Sequence, residues 1–405
     1  MTLAETYAHY VIPTYGRFDL DIVSGSGCRV RDASGRTLLD FGAGIAVCSL
    51  GHAHPEVTEA VARQAATLVH TSNLYRTAPQ AHLARRLVEI TGPGKVFFCN
   101  SGAEANEGLI KTARRYGSPT GRHRIITFQN SFHGRTMAAI SATGQDKVKK
   151  DFGPLLDGFV HVPFGDLEAV RNAINSETIA ILVEPVQGEG GIHPATARFL
   201  QDLRSLCNEQ DLLLLFDEVQ CGLGRTGDFC GWHSLDCDIE PDGVSWAKGI
   251  ANGFPLGSFW VSNSPRDSRG PLCDLLGPGS HGTTYGGNPV CCAAALKVLE
   301  IIERDDLLAS ARDLGAQLAT RLRSLSSPWI AEVRACGLMI GVELSLPAKD
   351  RPPALEVVLA AMSENLLLVP AGERVVRFLP PLNVTAAEIA EGVERFARAL
   401  DQAAS

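Results

Sequence analysis

Residues 212–217 read LLLLFD, and Glu218 follows at once. A continuous apolar run this short, without alternation, suits a strand covered on both faces, the environment of a parallel sheet. The run ends in two carboxylates followed by turn residues, so Asp217 is expected at the carboxyl end of a central strand. In open α/β sheets that edge is where ligands bind. A carboxylate there without a partner costs several kcal/mol or takes up a proton. Asp217 either caps a helix or pairs with an arginine, or it meets a cation that the sequence does not supply.

The rest of the chain repeats the pattern. Runs at 95–100, 124–128, 158–164 and 180–186 read as strands, and helical spacing fills 55–70, 79–91, 101–117, 166–175 and 196–210. The alternation predicts α/β layers around a mainly parallel sheet. The stretch 27–44 reads as a hairpin about the turn DASG. Helical patterns at 290–304 and 306–325 precede a tail that mixes MIGVELSL, a helix near 354–364, RVVRFLPPL and a last helix from Thr385. That tail is expected to form a smaller α+β unit.

Composition excludes several classes. The 405 residues are enough for one large and one smaller domain, with 45% hydrophobic and 20% charged residues. A net charge of −8 argues against nucleic-acid binding. No apolar stretch reaches the roughly 18 residues of a membrane helix. The N-terminus lacks the basic start and apolar core of a signal peptide, so a cytoplasmic setting is expected. The 11 cysteines are scattered without a C-x-x-C pair, which predicts reduced thiols and no metal site. The spacing of His52, His54 and His281 fits no ligand set.

Five stretches carry possible chemistry. Lys248 in SWAKGIANG lies between an apolar run and a glycine-rich turn. It is either a solubilising surface lysine or, in an apolar setting, an amine with a lowered pKa able to form a Schiff base. A protonated aromatic cofactor nitrogen beside Asp217 would reconcile both residues. NSGAEANE (100–107) opens a helix with Ser101 as cap and Glu104 three residues on, which is a capping box or a phosphate cradle. HGTTYGGNP (281–289) places two hydroxyls in a glycine-rich loop or plain turn. FHGRT (132–136) sets an aromatic ring beside Arg135, whose fork suits a carboxylate. GLGRTG (222–227) matches a dinucleotide fingerprint, but five residues separate it from the strand and no helical period follows.

Together with HTSNLYRTAPQ (70–80), VEPVQGEGG (183–191), FDEVQCGLGRTG (216–227) and RFLPPLNVT (377–385), these segments resemble the fold-type I, class III pyridoxal-phosphate aminotransferases over nearly the whole chain. The resemblance implies a large domain with a mainly parallel seven-stranded sheet between helices, at 61–300. It also implies a small α+β domain built from both chain ends, 1–60 and 301–405. Lys248 would hold the cofactor aldehyde and later move the proton. Asp217 would pair with the pyridine nitrogen, Gln220 with the ring oxygen, and Phe132 would stack on the ring. Gly102 and Ala103 would donate to the phosphate, and Thr284 would reach it from a neighbouring subunit of a homodimer. Arg135 and Thr283 would contact substrate. Glu189 and Arg377 would form a switch pair, against the simpler reading of Arg377 as a strand-end salt bridge. Asn73 and Tyr75 are left without roles. The implied reaction moves the terminal amine of an acylated ornithine to 2-oxoglutarate. Succinylornithine, ornithine or 4-aminobutyrate are alternative donors, and a nicotinamide oxidoreductase is the distant rival.

Overall fold

The structure, a computed structural model, describes residues 1–348 and 350–405. Its centre is a seven-stranded sheet in the spatial order Gly94–Cys99, Gly257–Ser262, Gly243–Trp246, Leu213–Asp217, Thr178–Val183, Arg124–Phe128, Phe159–Val162. All neighbours run parallel except Gly257–Ser262, which is antiparallel to the strand on each side. The LLLLF run sits in the middle, buried along its whole length. That explains why it shows no polar alternation: helices cover both faces, so both sets of side chains leave water.

Helix Gly102–Gly117 lies so near the sheet that a Cβ at Gly108 would fall 2.1 Å from the Phe259 ring. Only glycine permits that approach, which draws the amino end of the helix down to the carboxyl edge of the sheet. Ser101 caps it as expected, its Oγ accepting from Glu104 N at 3.2 Å. The reciprocal half of a capping box is missing. Glu104 Oε2 accepts from Asn100 N instead, at 2.6 Å, because the strand-to-helix turn offers that N–H first.

Two four-stranded sheets accompany this layer. Ile22–Ser26, Arg29–Asp32 and Thr37–Asp40 form an antiparallel meander, and Leu366–Leu367 joins it in parallel beside Thr37–Asp40. The chain's two ends therefore share one sheet. Ile330–Cys336, Met339–Leu344, Val375–Phe378 and Val369–Ala371 form the other, wholly antiparallel. Helix Ala386–Ala404, capped by Thr385 in a full capping box, packs Phe396 edge-on against Phe378. After GLGRTG no α-helix follows before strand Gly243–Trp246 among the described residues. Arg225 is instead buried, donating to the carbonyls of Leu338 and Pro380 at 3.0 and 2.5 Å. The segment thus ties the large sheet to the C-terminal one and forms no dinucleotide turn.

Candidate active site

The carboxyl edge of the large sheet opens into a cavity of about 390 Å³. Gly102, Ala103, Phe132, Arg135, Glu189, Asp217, Gln220 and Lys248 all line it, having come from five separate stretches of chain. Asp217 and Lys248 meet because their strands are neighbours: Asp217 pairs with Ser245, and Lys248 comes two residues after that strand ends.

Asp217 is buried and held from three sides. Its Oδ1 accepts from Val219 N at 3.0 Å. Its Oδ2 accepts from Asn106 Nδ2 and His133 Nδ1, each at 2.7 Å. A carboxylate only accepts, so Nδ1 carries the imidazole hydrogen, and the buried Nε2 has no partner. Asn106 is fixed in turn by Ser245 Oγ, which donates to its Oδ1 at 2.6 Å. Asn106, His133 and Ser245 were not singled out from the sequence. Asn106 could have been, since it lies three and four residues beyond Ala103 and Gly102 on the same helix face.

Lys248 takes a left-handed backbone (φ 43°), a conformation that costs a non-glycine residue energy and that is often retained at functional sites. Burial lowers the pKa of its amine, Glu189 opposes the shift, and Arg377 reinforces it. No hydrogen bond or ion pair holds the amine among the described residues.

At the opposite wall the N–H groups of Gly102 and Ala103, the first two of the helix, have no acceptor among the described residues. They are ready donors for an anion, and the helix dipole adds to the attraction. A side chain at Gly102 would meet Val219 Cγ1 at 2.7 Å, so this cradle admits only glycine without displacement. Phe132 donates its N–H to Glu184 Oε2 at 3.0 Å, and Glu184 Oε1 accepts from Gly188 at 3.2 Å. Burial and the neighbouring Asp217 push the Glu184 carboxyl above its ordinary value, and His133 pulls the other way.

Arg377 is almost wholly enclosed, with 1% of its surface exposed. It donates to Glu189 Oε1 at 2.7 Å, Gln220 Oε1 at 3.0 Å and Pro370 O at 3.2 Å. Burial would raise the Glu189 carboxyl, but the Arg377 and Lys248 charges outweigh it and hold the carboxyl below its ordinary value. Arg135 is the contrasting case. It is exposed at the cavity mouth, its guanidinium 5.6 Å from the Phe132 ring centre, with no carboxylate partner among the described residues.

Thr283 and Thr284 are not brought into this cavity within the chain. Thr283 Oγ1 accepts from Asn100 Nδ2 at 3.2 Å, while Thr284 lies in a small recess with Ser72, Asn73 and Gln80. Asn73 Nδ2 holds that loop by donating to Gly286 O at 3.0 Å, and Tyr75 is exposed. The three sequence-flagged histidines are apart. His52 pairs with Asp40, His281 accepts from Lys111, and His54 starts a helix. No group of metal-ligating side chains is assembled among the described residues.

A spare acceptor site on Asp217, an unpaired amine, a helix-end anion cradle and an aromatic wall in one cavity fit pyridoxal phosphate in charge and polarity. Comparison with known proteins agrees. Residues 10–400 match the family model described as aminotransferase class-III. The chain is 48% identical over 410 residues to an acetylornithine aminotransferase of Thermosynechococcus vestitus, covering 98% of this chain and 96% of that one. A solved ornithine aminotransferase from Toxoplasma gondii, described with PLP partly occupying its active site, superimposes with a TM-score of 0.90. It is 32% identical and covers 98% of this chain and 93% of its own. The N-acetylornithine aminotransferase of Stenotrophomonas maltophilia K279a gives 0.82 at 34% identity, with 99% of each chain covered. The chain therefore belongs to the class-III aminotransferases, fold-type I enzymes whose cofactor is pyridoxal 5'-phosphate.

Proposed function

We propose that the enzyme transfers the terminal amine of N2-acetyl-L-ornithine to 2-oxoglutarate, forming N-acetyl-L-glutamate 5-semialdehyde and L-glutamate, as a step of arginine biosynthesis. The observation that carries this reading is the pair of unequal arginines. Arg135 stands open at the mouth, whereas Arg377 is enclosed and neutralised by Glu189. One carboxylate grip is always available and one is gated. A site of this kind can accept a donor with a single carboxylate and, in turn, an acceptor with two. The similarity to acetylornithine aminotransferases supports the choice of donor.

Bound pyridoxal phosphate supplies an aldehyde that carries the amine and a ring that takes up the electron pair left at the substrate carbon. The chain's residues do the rest. Gly102 and Ala103 hold the phosphate, and Phe132 covers the ring. Asp217, kept in place by Asn106 and His133, pairs with the ring nitrogen, and Gln220 serves the ring oxygen. Lys248 would hold the aldehyde. Burial lowers the pKa of the freed amine, which shifts it towards the unprotonated form that can take the proton from the substrate carbon. Arg135 holds a substrate carboxylate throughout. The Arg377–Glu189 pair stays closed for the donor and opens for the second carboxylate of 2-oxoglutarate.

Thr284 lies outside the Lys248 cavity, beside the exposed ring of Tyr285. This supports a homodimer in which the partner subunit's Thr284 reaches the phosphate and the partner subunit's Thr283 touches substrate. Steady-state kinetics with acetylornithine, succinylornithine, ornithine and 4-aminobutyrate test the donor. Acetylornithine is expected to give the highest kcat/KM, and a preference for ornithine or 4-aminobutyrate would overturn the assignment. Lys248→Ala is expected to abolish turnover while leaving the fold intact by circular dichroism.

A further inference from the structure

Arg377 is bonded to more than its gate partner. Each Nη of a guanidinium carries two hydrogens. Those of Nη1 are both taken, by Glu189 Oε1 at 2.7 Å and by Gln220 Oε1 at 3.0 Å. Nη2 donates to Pro370 O at 3.2 Å, which anchors the group from behind. A guanidinium has donors and no acceptor, so only the oxygen of the Gln220 amide can turn towards it. That contact fixes which way round the amide stands, and the Nε2 hydrogens point away from the guanidinium.

The surroundings confine the amide as well. Gln220 is buried, and a Cβ at Gly188 would fall 2.4 Å from Gln220 Oε1 and 2.7 Å from its Nε2. The bare backbone of Gly188 therefore covers one side of the amide while Arg377 holds its oxygen. Glu189 belongs to the same cluster: against the effect of burial, Arg377, Lys248 and Gln220 hold its carboxyl below the ordinary value. Gln220 also lines the Lys248 cavity. One amide thus stands between the gate and the cofactor site. Hydrogen bonds in a chain polarise one another, so a charged donor on the amide oxygen makes the amide N–H a stronger donor.

We propose that Arg377 is a positioning residue for the cofactor as well as a substrate gate, orienting and polarising the Gln220 amide that serves the ring oxygen. This rests on the reading, given under Proposed function, that Gln220 pairs with that oxygen. A donor on the ring oxygen stabilises its anionic form. A weaker or misoriented Gln220 donor therefore raises the pH at which the visible absorbance of the bound cofactor changes.

Arg377 and Glu189 also act on the Lys248 amine through space, in opposite senses, so the test has to separate the amide relay from the field. A double-mutant cycle does so. Holoenzyme with Arg377→Lys, Gln220→Leu or both is titrated, and the pH midpoint of its visible absorbance is read. Arg377→Lys keeps a charge facing Glu189 but loses the planar fork. Gln220→Leu is expected to raise the midpoint by about one unit and Arg377→Lys by about half a unit. The double variant is expected to match Gln220→Leu alone. Shifts that add overturn the proposal, as does an Arg377→Lys midpoint equal to that of the unaltered protein. An unmoved midpoint in Gln220→Leu overturns the pairing of Gln220 with the ring oxygen, and the proposal with it. If Arg377→Lys fails to fold, neutron diffraction from the unaltered holoenzyme decides. Deuterium on Gln220 Nε2 directed at the ring oxygen, with Oε1 on the guanidinium, is expected, and the reversed amide overturns the proposal.

Discussion

Replacing Glu189 by Gln separates the two halves of the catalytic cycle. The change removes one negative charge with almost no change of shape. Arg377 then keeps its bonds to Gln220 and Pro370 but loses its charged partner, in a place where 1% of its surface meets water. A hydrogen bond to a charged group contributes about 1.5–3 kcal/mol. Glu189 lines the open cavity and is itself 27% exposed at the side chain, so water offsets part of the loss. A value of about 2 kcal/mol corresponds to a ~30-fold change in an equilibrium or rate. The sign differs between substrates. The donor approaches with a cationic terminal amine and would face an unneutralised guanidinium, so its half-reaction should slow ~30-fold. 2-Oxoglutarate brings a carboxylate that no longer has to displace Glu189, so its half-reaction should be unchanged or faster. Stopped-flow absorbance of the cofactor, with each substrate alone, measures the two separately. Equal slowing of both halves would refute the gate and leave Arg377 as a structural ion pair.

Other consequences can be measured independently. Arg135→Gln should raise KM for 2-oxoglutarate at least ten-fold, since a bidentate charge-assisted grip is lost. Its Tm should move by less than about 2 °C, because the side chain is exposed and its one recorded contact is with the Phe132 ring. Glu218 is buried behind Asp217, accepting from Trp232 N at 3.1 Å, and burial pushes its carboxyl up to about 8 from an ordinary 4.5. The folded state thus binds a proton that the unfolded chain releases. Its contribution to stability is full below pH ~4.5 and is lost as the pH rises through about 8, at up to roughly 1.4 kcal/mol per pH unit. Glu218→Gln should therefore gain Tm relative to the unaltered protein from pH 5 to 8, and a difference that stays flat across that range would count against the protonated carboxyl.

Much of the architecture was legible because local physics encodes it. The LLLLF run could only be a strand covered on both faces, and Asp217 at its end had to stand at the ligand-binding edge. The last helix was expected from Thr385, and it starts there under a full capping box with Glu388. The resemblance carried by the ordered motifs brought the cavity-lining residues into view together. Other features depended on distances that no local pattern records. Asn106 and His133 read as helix and loop residues, and only the close descent of helix Gly102–Gly117 onto the sheet turns them onto one oxygen of Asp217. Glu104 was expected to close a capping box and bonds Asn100 instead, a choice made by the geometry of one turn. Arg377 and Glu189 are 188 residues apart, and their contact exists because the C-terminal sheet docks over the large one. Sequence determined which segments bury, where each ends and which charges lie at those ends, since these follow from side-chain hydrophobicity and backbone hydrogen bonding over a few residues. The packing of distant elements alone decided which of those charges meet, because electrostatic and hydrogen-bond partners are chosen over a few ångströms of space and not by separation along the chain.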